Sequence, residues 1–395
     1  MRLEDICTVF TDGDWIESKD QDNEGIRLIQ TGNIGEGTYL EKETRAKYIS
    51  EDTFNKLKCT EIFPGDILVS RLPEPVGRAC IIPETEARMI TAVDCTICRP
   101  NESIVYNEYL CYFMRSKAYY TKLLGSVTGT TRKRISRKNL GNVELYIPSK
   151  QEQEGVVKQL DCLVKIINLR DKEIQLLDDF IKARFVEMFG DPYVNPLKWK
   201  KLKIKDAVTV EPQNGLYKPQ SDYVTDGSGI PILRIDGFYD GMVTDFASLK
   251  RLKCSETEKQ KYVLLEDDVV INRVNSIEYL GKCAHIKGLL EDTVYESNMM
   301  RMHFDPEYYN PVYICKLLCN QFIYDQIVNH AKKAVNQASI NQKDVLDFNI
   351  YQPPIDLQNQ FADFARQVDK SKVAVQKALD ETQLLFDSLM QQYFG

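Results

Sequence analysis

Apolar residues recur at steps of three and four through two stretches of the chain. The first stretch runs Val156, Leu160, Leu163, Ile167, Ile174, Leu177, Ile181 and Met188, broken by Arg170 and Arg184. The second runs Phe361, Ala365, Val368, Val375, Leu379, Phe386, Leu389 and Tyr393, broken by Lys372 and Thr382. This is the a/d spacing of a long helix that buries one stripe. The polar breaks fall at different positions in the two stretches. Each helix can pack on its own globular part or on the other helix. The length and single face of both seams favour an antiparallel coiled-coil pair. Elsewhere the period is nearer two. IRLIQTGNI, DILVSRL, ARMITAVDCTICRP and GNVELYIP read as strands, as do IPILRIDGF, DDVVINRV, KCAHIKG and DFNIYQP. NEYLCYFMRSKAYYTKLLG and NPVYICKLLCNQFIYDQIVNHA read as helices.

These elements occur twice. Residues 135–190, shifted by about 205, fall without a gap on residues 340–395. Lys138 meets Lys343, Pro148 meets Pro353, Gln153 meets Gln358, Lys172 meets Lys377, and Phe189-Gly190 meets Phe394-Gly395. Upstream, Gly25–Gly37 is similar to Gly229–Gly241, and Gly65–Arg71 to Asp267–Arg273. The chain is therefore expected to be a mixed α/β (α+β) protein with a pseudo-twofold internal repeat. Residues 1–148 and 191–352 would form two globular domains. Residues 149–190 and 353–395 would form two spacer helices that separate and join them. Pro192 to Pro196 marks the boundary between the copies.

Composition narrows the class. The 395 residues are 43% hydrophobic and 28% charged, ordinary for a soluble globular protein. No apolar run reaches the roughly 18 residues a membrane span needs. The acidic start MRLEDICTVFTDGDWIE has no apolar signal core, so a cytoplasmic location is expected. The odd count of 11 cysteines points to reduced thiols rather than disulfides. Cys95-x-x-Cys98 and Cys315-x3-Cys319 lack partner pairs, and the three histidines, 285, 303 and 330, are scattered. No metal site is expected. There is also no P-loop, no Asn/Asp-Pro-Pro-Tyr/Phe motif, no nucleophile elbow and no nuclease-type acid/lysine cluster.

The net charge of −7, taken as a whole, disfavours nucleic acid. Its distribution does not. Between Glu108 and Glu144 there is no acid, while Arg115, Lys117, Lys122, Arg132, Lys133, Arg134, Arg137 and Lys138 all fall there. Thr130, Thr131, Arg132, Lys133 and Arg134 combine hydroxyls with cations, a set suited to phosphate oxygens. The matching stretch of the second copy is also acid-free and holds Lys332, Lys333, Asn336 and Gln337. A solvated basic loop would explain one such stretch; recurrence at the same place in both copies favours contact with DNA. Loops after strands add Arg71, Arg78, Asn214, Tyr217, Lys218, Arg273 and Asn275. Arg, Asn and Gln are the side chains that pair with guanine and adenine edges.

RISRKNLGNVELYIPSKQEQ, echoed by ASINQKDVLDFNIYQPPIDLQNQ, together with GIRLIQTGNI/GIPILRIDGF and GDILVSR/DDVVINR, resembles the specificity (S) subunit of type I restriction–modification systems. The resemblance covers essentially the whole chain. It implies that each globular half is a target recognition domain reading one part of a bipartite, asymmetric duplex DNA sequence. It implies that the helices pair antiparallel, set the spacer and dock two methyltransferase (M) subunits. S-adenosylmethionine would bind those partners and not this chain, and cleavage would belong to restriction/translocase (R) subunits. A helix over residues 151–187 is about 55 Å long at 1.5 Å per residue. That is enough to bridge reading heads about 34–36 Å apart. Two other classes stay open on the residues alone: a DNA methyltransferase or nuclease with unrecognised motifs, and a protein-interaction adaptor that binds no DNA.

Overall fold

The two seams become two helices of 40 residues each, Lys150–Phe189 and Ile355–Phe394. Each begins just past proline, which cannot continue a helix backwards. A buried glutamine one turn in anchors each start. Gln153 donates to Pro148 O and Ile104 O and accepts from Tyr106 N; Gln358 donates to Pro353 O and Tyr308 O and accepts from Asn310 N. This is what the repeated glutamine is for: it satisfies backbone groups of the preceding loop that burial has cut off from water.

In the computed structural model the described residues are 1–129, 133–239, 241–243, 245–335 and 337–395. They divide into two compact units, Met1–Lys172 with Gln376–Gly395, and Glu173–Val375. The division cuts both long helices. Each unit holds one globular part, the first half of the helix that follows it, and the last half of the other copy's helix. In the first unit Leu160, Leu163, Phe386 and Met390 join Tyr109, Tyr112 and Phe113 in one core. In the second, Ile181, Phe185 and Phe189 join Tyr313, Phe361, Ala365 and Val368. The helices run antiparallel within each unit. In the first unit Tyr393 Oη donates to Gln159 Oε1 at 2.7 Å, and Arg170 bonds Ala378 O and Thr382 Oγ1. In the second, Lys372 pairs with Asp178, and the rings of Phe180 and Phe364 lie 5.0 Å apart. Arg170, Thr382 and Lys372 thus find partners on the facing helix, while Arg184 pairs with Glu187 on its own helix. Ile167, Ile174, Leu177, Val375, Leu379 and Leu389 are half-buried along the same faces.

The globular parts repeat one topology. In the first, an antiparallel sheet has the order Cys7–Asp12, Cys95–Pro100, Ile67–Ser70, Ala79–Ile81. In the second, Val208–Asn214, Met299–Phe304, Val269–Asn272 and Cys283–His285 follow the same order, extended by Gly241–Val243 and Phe238–Tyr239. A second sheet in each part contains a parallel pair, Ile26–Ile29 with Met89–Thr91 and Ile230–Leu233 with Val294–Tyr295. Gly77 and Gly281 occupy matching turns at φ of 92° and 80°. A Cβ there would lie 2.2 Å from Leu123 Cδ1 and 2.1 Å from Ile327 Cδ1 respectively. Both the backbone angle and the close approach of a helix require glycine.

Two expectations are corrected. Each of the two shorter predicted helices is a pair: Asn107–Phe113 with Lys117–Leu124, and Pro311–Leu318 with Gln321–His330. Ser116 and Asn320 break them, because their side chains accept from Tyr119 N and Phe322 N and start a new helix. GNVELYIP does not form a strand. It pairs only with Met1–Leu3, through one bridge between Arg2 and Glu144. Its counterpart does form one, Asn349–Gln352, because the four residues Lys200–Lys203 lie beside it. The eleven cysteines are free thiols, most of them buried.

Candidate nucleic-acid interface

In the first unit, the acid-free window turns back on itself where Thr128 bridges Arg134. The turn is fixed to the end of strand Ile67–Ser70, since Ile135 N donates to Arg71 O at 3.2 Å. Helix Arg137–Gly141 follows, capped by Ser136. Three acids from distant sequence meet the cations here. Lys133 pairs with Glu74, Arg134 with Asp94 at 3.6 Å, and Arg137 with Asp12 at 3.9 Å. The window is acid-free in sequence but not in space. Sequence reasoning missed Asp12, Glu74 and Asp94 because each lies about forty or more residues from the cation it meets. Thr130, Thr131 and Arg132 lie outside the described residues.

The structure buries two of the contact candidates, Arg71 and Arg78. Arg78 is buried, its guanidinium donating to Ile34 O, Thr31 O, Pro73 O and Pro75 O. Arg71 is also buried; it donates to Val93 O at 2.6 Å, and its Nε lies 3.3 Å from Asp12 Oδ1. Both hold the loop after strand Ile67–Ser70. Arg78 uses four of its five N–H donors on carbonyls, whereas Arg71 is withheld by burial.

In the second unit the candidates come together on a three-stranded sheet, Val274–Asn275, Ala338–Ser339 and Lys332–Lys333. Asn275 faces Ala338, and Lys333 faces Ala338 from the other side. Ile340 N donates to Arg273 O, the counterpart of the Ile135–Arg71 bond. Lys332, Lys333 and Gln337 are exposed; Asn336 lies outside the described residues. Arg273 is half-buried and donates from Nη1 to Ser297 O at 3.3 Å, while its buried Nε has no partner. Asn214, the last residue of the edge strand Val208–Asn214, and Tyr217 beyond it are exposed. Lys218 is not available in the same way. It pairs with Glu258 at 2.9 Å and Asp222 at 3.6 Å. Glu258, which also receives Ser255 N, is held down to about 2.

Among the described residues no group of three or more His, Cys, Asp or Glu side chains could hold a metal ion, and no helix is long and apolar enough to cross a membrane.

A duplicated mixed sheet-and-helix unit, each completed by the end of the other copy's long helix, defines the class of fold. The chain belongs to the family of the type I restriction modification DNA specificity domain, whose model matches residues 1–178 and again 196–382. It is similar to the type I restriction enzyme EcoKI specificity subunit of Escherichia coli K12, 25% identical over 290 residues, 70% of this chain and 60% of that one. It is also similar to the StySPI specificity subunit of Salmonella potsdam, 23% identical over 288 residues, again 70% and 60%. The matches thus span about 60% of these relatives' length. Among solved structures, a type I restriction-modification S subunit from M. genitalium aligns at a TM-score of 0.57 with 13% identity, over 100% of this chain and 95% of that one. That likeness concerns the fold.

Proposed function

We propose that this chain is the non-catalytic, DNA-sequence-reading subunit of a type I restriction–modification complex. Residues 1–148 and 191–352 each read one part of a bipartite, asymmetric duplex target. The observation that carries this reading is the duplication of the site. At the same strand ends in both units an antiparallel pairing that carries cations beside a hydroxyl, Lys133 and Arg134 beside Thr128 and Lys332 and Lys333 beside Ser339, is tied to the loop after the central strand. Family membership and the names of the relatives support the same reading.

The two long helices form the coiled-coil spacer between the reading domains and carry the docking surface for two methyltransferase subunits. Leu169, Leu176, Phe180, Leu384 and Leu385 are exposed on them at 50–69%. Apolar side chains in such a series suit a protein partner better than water. S-adenosylmethionine belongs to those partners, and cleavage to restriction/translocase subunits. The experiment is a gel-shift series with the complex of this chain and its methyltransferase subunits. One bipartite sequence should be bound far more tightly than scrambled duplexes, and methylome sequencing of the host with and without this chain should name it. A complex indifferent to sequence would overturn the reading.

A further inference from the structure

The two sites are built alike but charged differently. The strand pairings and backbone bonds set the correspondence. Gly13 and Gly215 are equivalent, because a Cβ on either would strike the same pair of carbonyls, Thr91 and Ala92 O in one unit, Tyr295 and Glu296 O in the other. Asp12 therefore corresponds to Asn214. Arg71 N bonds Asp94 O as Arg273 N bonds Asn298 O, so Asp94 corresponds to Asn298. At both positions the first unit has a carboxylate and the second an amide.

The consequence is electrostatic. In the first unit Asp12, Glu74 and Asp94 lie against Arg71, Lys133, Arg134 and Arg137. Exposed pairs of this kind are individually weak. They nevertheless cancel most of the field a phosphate would meet, since each cation has an opposite charge within about 4 Å and screening removes the rest over about 10 Å. In the second unit no described carboxylate lies within 4.0 Å of Lys332, Lys333 or Arg273, and Arg273 Nε is buried without a hydrogen-bond partner. Asn214 and Asn298 are both exposed there. An amide can pair with a base edge without repelling the phosphates on either side of it.

We propose that the two units divide DNA binding unequally. The second unit, through Lys332, Lys333 and Arg273 with Asn214 and Asn298 beside them, supplies the larger share of phosphate neutralisation. The first unit, where Arg71, Lys133, Arg134 and Arg137 share the three carboxylates of Asp12, Glu74 and Asp94, adds less of it. This rests on the DNA-reading function proposed above.

The test is the salt dependence of binding by the full chain, using fluorescein-labelled mixed-sequence duplex DNA at stepped low salt. Each phosphate neutralised contributes about 0.9 to the slope of log K against log salt. Lys332→Met with Lys333→Met is expected to flatten the slope by about two. Glu74→Gln with Lys133→Met removes a whole ion pair at constant net charge, and is expected to leave the slope unchanged. Glu74→Gln alone should steepen it by freeing Lys133. All these side chains are exposed, and thermal melts establish that each variant folds. The division is overturned if the Glu74/Lys133 double variant flattens the slope by about one or more, or if the Lys332/Lys333 variant leaves it in place. A complex of the wild-type chain with its methyltransferase subunits that shows no salt-dependent, sequence-dependent binding would instead sink the DNA-reading function, and this proposal with it.

Discussion

At the scale of single residues, burial separates charges that hold the fold from charges that can meet a ligand. Arg78 satisfies four carbonyls of its own loop. Arg78→Ala would leave them buried and unpaired, so we expect a loss on the order of 3 kcal/mol in urea unfolding. A simple DNA contact would cost affinity and no stability. His285 gives a pH dependence. It is largely enclosed, with Nε2 2.9 Å from Asp267 Oδ1 and with Lys287 and Glu266 also near. Burial lowers its pKa below the ordinary histidine value, more than Asp267 raises it. The unfolded chain therefore takes up the proton first, and stability falls as pH drops below about 6.5. Melting temperatures taken from about pH 7.5 down to about 5.5 should fall, and His285→Gln should remove part of that fall. Arg71 and Arg78 show what is not legible at this scale. Nothing in sequence distinguishes a buried arginine from a surface one when both follow a strand.

At the scale of elements, the two helices were legible and their use was not. The heptad seams placed Leu160, Leu163, Ile181, Val368 and Phe386 on packed faces, where the structure has them. The stripe is wider than an a/d seam, because Phe185, Phe189 and Met390 also bury against the globular parts. Phe386 belongs by sequence to the second copy, yet its ring lies 6.4 Å from that of Tyr112 in the first. Phe386→Ala should therefore destabilise by about 3–5 kcal/mol. Hydrogen exchange should show protection lost over Asn107–Leu124 rather than in the second globular part. Loss confined to residues 191–352 would contradict the exchange of helix ends. The broken helices at Ser116 and Asn320 follow a local rule, the N-cap, that periodicity alone overrides in a sequence reading.

At the scale of the whole molecule, the repeat makes a prediction of its own. Residues 376–395, which complete the first unit, correspond by the repeat to residues 171–190. Phe386, Met390 and Phe394 correspond to Ile181, Phe185 and Phe189. A chain of residues 1–190 should accordingly dimerise, each copy closing the other's core, and in complex with methyltransferase subunits it should read a palindrome. Sedimentation equilibrium checks the first part; a strictly monomeric half would refute the exchange. The sequence by itself determined the duplication, the two long helices, the absence of recognisable catalytic motifs and the kind of family to which the chain belongs. Those are carried by periodicity, spacing and order, which are properties of a string. Only the tertiary structure decided which copy's helix end closes which core, which arginines are buried, and that acids far away in sequence pair with Lys133, Arg134 and Arg137 while amides stand in place of two of those acids, Asp12 and Asp94, in the second unit. Burial and Coulomb pairing depend on distance in space, and folding sets those distances between residues that the sequence keeps apart.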